Sequence, residues 1–154
     1  MVLNWLIAES VDEVGVSLFD FFTIGHICMG IGIFLVFSLF YTIPMSKKEG
    51  TSQIILPLWA VWIITLALGI IWEIIENTLF FEIGIKFENR LDSVANIVTD
   101  IIFVGLGGLS SWIFAHLVFR SQVGSWPYYL FGLIGLGLWI CAFLFLYITI
   151  NVPL

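Results

Sequence analysis

Charged side chains are scarce in this chain of 154 residues, of which only 10% are Asp, Glu, Lys or Arg while 61% are hydrophobic. A soluble domain carries about 25% charged residues, so this sequence cannot cover a water-facing surface. The composition is that of an integral membrane protein. Since each membrane-spanning helix needs roughly 20 residues, the length allows one domain with about four spans.

Basic residues and cysteines are also few. Five Lys and Arg stand against eleven Asp and Glu, which gives a net charge of −6. Nucleic-acid binding demands a basic face and binding to anionic lipid headgroups a polybasic patch, so neither is expected. Cys28 and Cys141 both lie inside apolar runs, which excludes a disulfide scaffold and a cysteine-based metal motif. The N-terminus lacks the basic region of a signal peptide, so none is expected.

Long apolar runs predict an all-α integral membrane protein, a four-transmembrane-helix bundle. The predicted spans are about 18–43, 54–81, 92–119 and 127–150, within a membrane domain of residues 18–154. Either Asp92 or Ser93 is a natural N-cap for the third span. Glycines cluster within the first, third and fourth spans, where small residues let membrane helices pack closely.

The first 17 residues are predicted to form an interfacial amphipathic helix. Acidic residues share one side of such a helix, and Trp5 suits the headgroup layer of the membrane. We therefore expect residues 1–17 to lie on the membrane surface rather than to cross it.

Loop bases predict the orientation of the protein in the cell membrane. Lys47, Lys48 and Arg120 fall on one side of the four spans, and Lys86 and Arg90 fall on the other. Because basic residues favour the cytoplasmic side, the first loop is predicted inside and both termini of this multi-pass protein outside.

Polar residues inside or beside the apolar runs are the candidate site. A charge in hydrocarbon costs several kcal/mol, so each needs a partner or a use. At the helical rise of 1.5 Å per residue, those in the spans lie roughly 6 to 12 Å below the outer ends. Spacings of three and four residues place them on one face of each helix, so we expect them to meet inside the bundle. The set is His26, Glu73, Glu76, Asn77, Arg90, Asp92, Asn96 and Asp100.

Three arrangements could hold the carboxyl groups of this cluster, which cannot all stay charged at close range. The first is a structural network in which one or two carboxyl groups are protonated, or are balanced by His26 or by Arg90 as a bidentate clamp. The second is a divalent metal site. Its ligands would be His26, Glu73, Glu76 and Asp100, a set similar to hard-metal or di-iron sites in helical bundles, although Glu-x-x-Glu replaces the usual Glu-x-x-His. The third is an outward-facing site for a lipid headgroup or another polar ligand.

The order of these residues resembles the VanZ-like superfamily of small membrane proteins. The resemblance covers about residues 20–110. It rests on His26, on Trp72-Glu73-x-x-Glu76-Asn77, on Arg90-x-Asp92-x-x-x-Asn96-x-x-x-Asp100 and on the glycines at 105–108. An uncharacterised branch of that superfamily has a closer Trp-Glu-x-x-Glu-Asn pattern. Departures are a shorter Arg-to-Asp spacing and the lack of a Gln after the Glu. The resemblance implies a link to the cell envelope or glycopeptide tolerance, without a settled reaction.

Two functional hypotheses follow from these observations. In the first, the acidic and histidine site handles a lipid or cell-envelope headgroup, with or without a divalent metal as cofactor. In the alternative, the protein is a non-catalytic structural subunit of a larger membrane complex or a homo-oligomer, and the polar layer only locks its helices together. Ion transport is less favoured, because only Ser111 and His116 continue the polar cluster inward.

Overall fold

Four helices make up most of the computed structural model, which describes residues 5–46, 55–121 and 124–151. They are α1 Thr23–Ser46, α2 Leu58–Ile75, α3 Val94–Arg120 and α4 Trp126–Asn151. All four are long and apolar enough to cross a membrane, which confirms that part of the prediction. The path of α2 continues through a π-helical turn over Glu76–Phe80.

The first helix begins later than predicted, at Thr23 rather than near residue 18. Two hydrogen bonds of Asp20 explain this start. The side-chain Oδ1 of Asp20 accepts from Phe22 N at 2.8 Å, and the backbone N–H of Asp20 donates to Thr23 Oγ1 at 3.0 Å. Such exchanges satisfy backbone groups at the beginning of a helix. His26 therefore lies in the first turn of α1, nearer to the helix end than the predicted span places it.

Helix α1 packs against all three other helices, and α3 packs mainly against α1 and α2, whereas α4 rests mainly on α1. Two glycines bring α1 and α3 close together. A Cβ on Gly30 would lie 2.1 Å from the carbonyl oxygen of Val104, and one on Gly107 would lie 2.1 Å from that of Ile27. The predicted role of these glycines in close packing is confirmed.

The apolar core lies at the end of the bundle where α1 and α3 finish and α2 and α4 begin. Its buried members include Phe34, Val61, Ala115 and Tyr128. Lys47 and Lys48, on which the predicted orientation partly rests, lie outside the described residues, and the orientation stays a prediction.

Residues 5–17 do not form the amphipathic helix that was predicted for residues 1–17. Residues 5–22 fold into turns around a short 3-10 helix, Val11–Glu13, and Ile7 pairs with Phe19 in an isolated bridge. One reason is Gly15, whose φ of +75° is left-handed and ends any helix there. Residues 1–4, the rest of that prediction, lie outside the described part of the chain.

The N-terminal segment is tied to the connection between α2 and α3. Ser93 is the N-cap of α3, because its side chain accepts from Asn96 N at 3.1 Å. Its backbone N–H donates to Gly15 O at 2.7 Å, and its hydroxyl donates to Val16 O at 2.9 Å. Residues 5–22 therefore pack beside the start of α3, at the end of the bundle that holds the polar cluster.

Candidate functional site

An imidazole ring lies between two carboxyl groups from two other helices. His26 on α1 places Nδ1 3.6 Å from Glu73 Oε1 on α2, and Nε2 3.6 Å from Asp100 Oδ2 on α3. All three residues are buried, with 8%, 3% and 3% of their surface exposed. The expected meeting of three helices at one polar cluster is therefore found for these residues.

Several polar atoms of this cluster have no hydrogen-bond partner among the described residues. They are His26 Nδ1, both side-chain oxygens of Glu73, and Asp100 Oδ1. A buried polar group left unpaired costs about 1–3 kcal/mol. The cluster thus has unpaired polar atoms where a protein normally leaves few, which calls for an explanation such as a bound ion or water.

Glu76 joins His26 and Glu73 in a group with metal-binding geometry. One ligand atom from each of these three residues lies within 4.8 Å of the other two. An imidazole nitrogen with carboxylate oxygens is a donor set suited to Zn²⁺, Fe²⁺ or Mn²⁺, so the residues fit such an ion. Asp100, the fourth predicted ligand, is not in this group and faces the other ring nitrogen.

The π-helical turn positions the end of α2 against the connection that follows it. Asn77, within this turn, donates from Nδ2 to Asp92 Oδ2 at 3.0 Å, and its Oδ1 accepts from Asp92 N at 2.9 Å. Turns of this kind occur frequently at functional sites. Asn77 and Asp92 therefore lie beside the cluster as predicted, and they bind each other.

Lys86 is a site residue that the sequence analysis treated only as a loop base. Its surface is 4% exposed, and its Nζ donates to Asp92 Oδ2 at 2.5 Å and to Glu76 Oε1 at 3.2 Å. Burial alone lowers the pKa of Lys86, but the carboxylates of Glu76 and Asp92 outweigh it, so the net pKa is raised. The sequence did contain an indication that Lys86 is buried, since this isolated lysine stands between Ile85 and Phe87 and close to two apolar spans.

Asp20 is the second site residue that the sequence analysis missed. Its Oδ2 accepts from Gly15 N at 2.9 Å and from Asn96 Nδ2 at 3.4 Å. Asn96 is 1% exposed and also donates to Ser17 O at 3.0 Å. Asn96 is thus close to the cluster as predicted, but its amide binds the N-terminal segment. An acid inside the predicted first span should have drawn attention to Asp20.

Arg90 does not clamp a carboxylate, in contrast to the prediction. Its guanidinium donates to Asp12 O at 2.6 Å and to Val14 O. The reason is the path of the N-terminal segment, which brings two backbone carbonyl groups to Arg90. These carbonyl oxygens occupy the N–H donors of the guanidinium that a carboxylate would need. Arg90 holds that segment in place and still lines a cavity that reaches Asp100.

Two cavities reach the cluster, and His26, Glu76 and Lys86 line both. The smaller has a volume of about 20 Å³ and lies among polar groups beneath the N-terminal segment. A space of that size holds about one water molecule. The larger has a volume of about 50 Å³ and has mostly aromatic walls. Those walls include Phe22, Trp72, Phe80, Phe87, Trp139 and Phe143.

The charge around the cluster is predominantly negative. Lys86 and Arg90 are the cations that line the smaller cavity. Five carboxyl groups lie at the cluster or along that cavity: Asp20, Glu73, Glu76, Asp92 and Asp100. Because Lys86 and Arg90 cannot balance all five, the arrangement favours a bound cation or protonated carboxyl groups.

Fold and site together define a multi-pass helical protein with a buried acidic and histidine cluster at one end of its bundle. No family model, no curated protein and no solved structure matches the chain. The resemblance to the VanZ-like superfamily therefore stays a prediction that rests on the motif residues.

Proposed function

We propose that this chain is a VanZ-like protein of the cell membrane that binds a divalent metal ion at His26, Glu73 and Glu76. Through that ion it would bind the polar headgroup of a lipid or of another cell-envelope molecule. The observation that carries the proposal is the grouping of three ligand atoms within 4.8 Å of one another, in a cluster where His26 Nδ1 and both Glu73 oxygens are unpaired.

The charge and the number of ligands support a metal ion. A divalent cation offsets two of the negative charges gathered around the cluster. Three protein ligands leave coordination positions open, as in metal sites that bind a further ligand. The ion would supply a strong electrophile for an oxygen atom of the headgroup.

The larger cavity supports a ligand that comes from the bilayer. Its polar floor is formed by His26, Glu76 and Lys86, and its aromatic walls come from α2 and α4 and from residues beside them. Aromatic residues with apolar bodies suit the boundary between headgroups and acyl chains. A molecule with a polar head and an apolar neck matches this division. The orientation predicted from the basic residues of the loops places this cavity on the outer side of the membrane, which favours an outward-facing site.

Metal analysis of the purified protein tests the metal part of the proposal. We expect about one Zn²⁺, Mn²⁺ or Fe²⁺ per wild-type chain after purification without a histidine tag, since a tag would bind metal itself. Glu73→Gln should lose the metal, because it removes a charged ligand. Glu82→Gln is the matched control, since Glu82 is exposed near the same end of α2. Wild-type protein that binds none of these ions would refute the metal site.

Native mass spectrometry from phospholipid nanodiscs tests the headgroup part. Metal-loaded wild-type protein should retain lipid, and removal of the metal with a chelator should release it. Glu73→Gln should retain no more lipid than the chelated wild type does. Equal lipid retention with and without metal would show that the headgroup does not bind through the ion.

A further inference from the structure

We infer that Asp100 is the positioning residue for His26: it holds the imidazole proton on Nε2 and so leaves Nδ1 free to bind the metal ion. This inference rests on the proposed metal site and assigns Asp100 a role different from that of a ligand. The observation behind it is that the two ring nitrogens face carboxyl groups on different helices.

The two sides of the imidazole ring are not equivalent. Nδ1 faces Glu73, which belongs to the group of three metal-binding residues, whereas Nε2 faces Asp100, which does not. A neutral imidazole has one N–H and one free acceptor nitrogen, and only the free nitrogen binds a metal. Both carboxyl groups lie 3.6 Å from the ring, but Glu73 would bind the ion, so Asp100 is the one left to hold a proton. A carboxylate that holds the proton on one nitrogen orients the ring and makes the other nitrogen a better ligand.

The packing of α1 against α3 fixes the distance between Asp100 and His26. Gly30 lies one helical turn after His26, and Val104 lies one turn after Asp100, so each pair shares a helix face. Gly30 and Val104 are in close backbone contact, which leaves no space for a Cβ. The spacing of the two helices is therefore set one turn away from the imidazole.

Asp100 borders one of the two cavities that His26 and Glu76 both line. Asp100 lines the smaller polar cavity but not the larger aromatic one, whereas Glu76 lines both. Its Oδ1 has no partner among the residues described, and a cavity of about 20 Å³ holds about one water molecule. The smaller cavity therefore has room for a water molecule beside the Asp100 carboxyl group.

Nitrogen-15 NMR of the two histidines tests the inference without changing Asp100. The chain has only His26 and His116, so the variant His116→Gln leaves a single imidazole to observe. In the zinc-loaded protein we expect a proton on Nε2 and zinc-induced displacement of the Nδ1 signal. Zinc bound at Nε2 would overturn the inference and leave the metal site itself in place.

The variant Asp100→Asn provides the second measurement. Loss of a residue that orients a metal ligand typically weakens metal binding by about 10- to 100-fold. At saturation, the cobalt(II)-loaded variant should keep the wild-type visible absorption spectrum, because its ligands are unchanged. Ser111→Ala is the control, since Ser111 is a buried residue of α3 away from the cluster, and it should keep the wild-type affinity.

The outcomes separate this inference from the proposed function. If wild-type protein binds no metal, both are overturned. If wild type and Asp100→Asn bind zinc equally well, only the role of Asp100 is overturned. A cobalt spectrum that shows the loss of a ligand in Asp100→Asn would make Asp100 a ligand and would also overturn the inference.

Discussion

At one end of the bundle His26, Glu73 and Asp100 are buried with polar atoms unpaired, whereas at the other end Ser38 and Tyr128 are buried and bind each other. The Ser38 and Tyr128 hydroxyl groups lie 2.5 Å apart, and Ser38 also donates to Leu35 O at 2.8 Å. Buried hydroxyl groups of Thr42 and Ser111 are also without a partner among the described residues. An unpaired ionisable group costs more to bury than an unpaired hydroxyl, so the unpaired atoms of the acidic end are the stronger indication of a bound ion or ligand.

The difference has a thermodynamic consequence for the two ends. The hydroxyl pair stabilises the bundle as it stands. The acidic end is costly until something binds, because a ligand that binds only the folded state adds its binding free energy to stability. Metal should therefore stabilise the protein, and the following variants test how each end depends on its own partners.

The largest effect is expected from Lys86→Met, which removes the cation between Glu76 and Asp92. Removing one partner of a buried ion pair costs about 3–5 kcal/mol, because the remaining charges are left buried and unpaired. SDS-induced unfolding in mixed micelles measures the loss. Arg120→Gln is the control, since Arg120 is exposed in the last turn of α3, and a surface change of this kind should stay within about 0.5 kcal/mol. Equal losses in both variants would contradict the structural role of Lys86.

The pH dependence of stability gives a second measurement of the same contact. Because the pKa of Lys86 is raised in the folded protein, its contribution is fully present below the ordinary lysine pKa of about 10.4. It is lost as pH rises through the higher folded-state value. Wild-type stability should therefore fall more steeply than that of Lys86→Met in this alkaline range, and parallel curves would count against the contact.

An intermediate effect is expected from Gly107→Ala, which tests the close contact between α1 and α3 in the part of the bundle between its two ends. The added Cβ would lie 2.1 Å from Ile27 O, so α1 and α3 must separate, at a cost of about 1–3 kcal/mol. Gly137→Ala is the matched control, because a Cβ there meets nothing within 4 Å. That variant should be neutral or more stable by up to about 1 kcal/mol. The same unfolding assay applies, and similar changes in both would contradict the close contact.

The smallest effect is expected from the hydroxyl pair of Ser38 and Tyr128 at the other end of the bundle. Tyr128→Phe removes the hydrogen bond to Ser38, whose hydroxyl still binds Leu35 O. Hydrogen bonds between membrane helices average about 0.6 kcal/mol. A double-mutant cycle with Ser38→Ala should give a coupling free energy of that size. A coupling of zero would show that the hydrogen bond between Ser38 and Tyr128 does not stabilise the bundle.

Periodicity and the length of the apolar runs were enough to predict the four helices. They also predicted that His26, Glu73 and Glu76 lie close together, as they do in the structure. These are properties of single helices, since rise and face follow from residue number. The side of the imidazole that Asp100 occupies could not be predicted in this way, because it depends on how α1 and α3 are rotated against each other.

The partners of Lys86, Arg90 and Asp20 depend on chain segments that are not regular helices. Lys86 binds residues ten positions before it and six positions after it, and Arg90 binds carbonyls of the N-terminal segment. No periodic pattern encodes these contacts. The prediction of an amphipathic helix was wrong over residues 5–17, because Gly15 and the backbone contacts of that segment favour turns.

The glycine contacts between α1 and α3 also determine how the polar cluster could open. With carbonyl oxygens of Val104 and Ile27 against Gly30 and Gly107, the backbones of α1 and α3 leave no free space between them one turn away from the cluster. Backbone contact therefore sets the separation of His26 and Asp100. The place to look for a widening that admits a ligand is the side formed by α2, with its π-helical turn, and by α4, which carries the opposite aromatic wall.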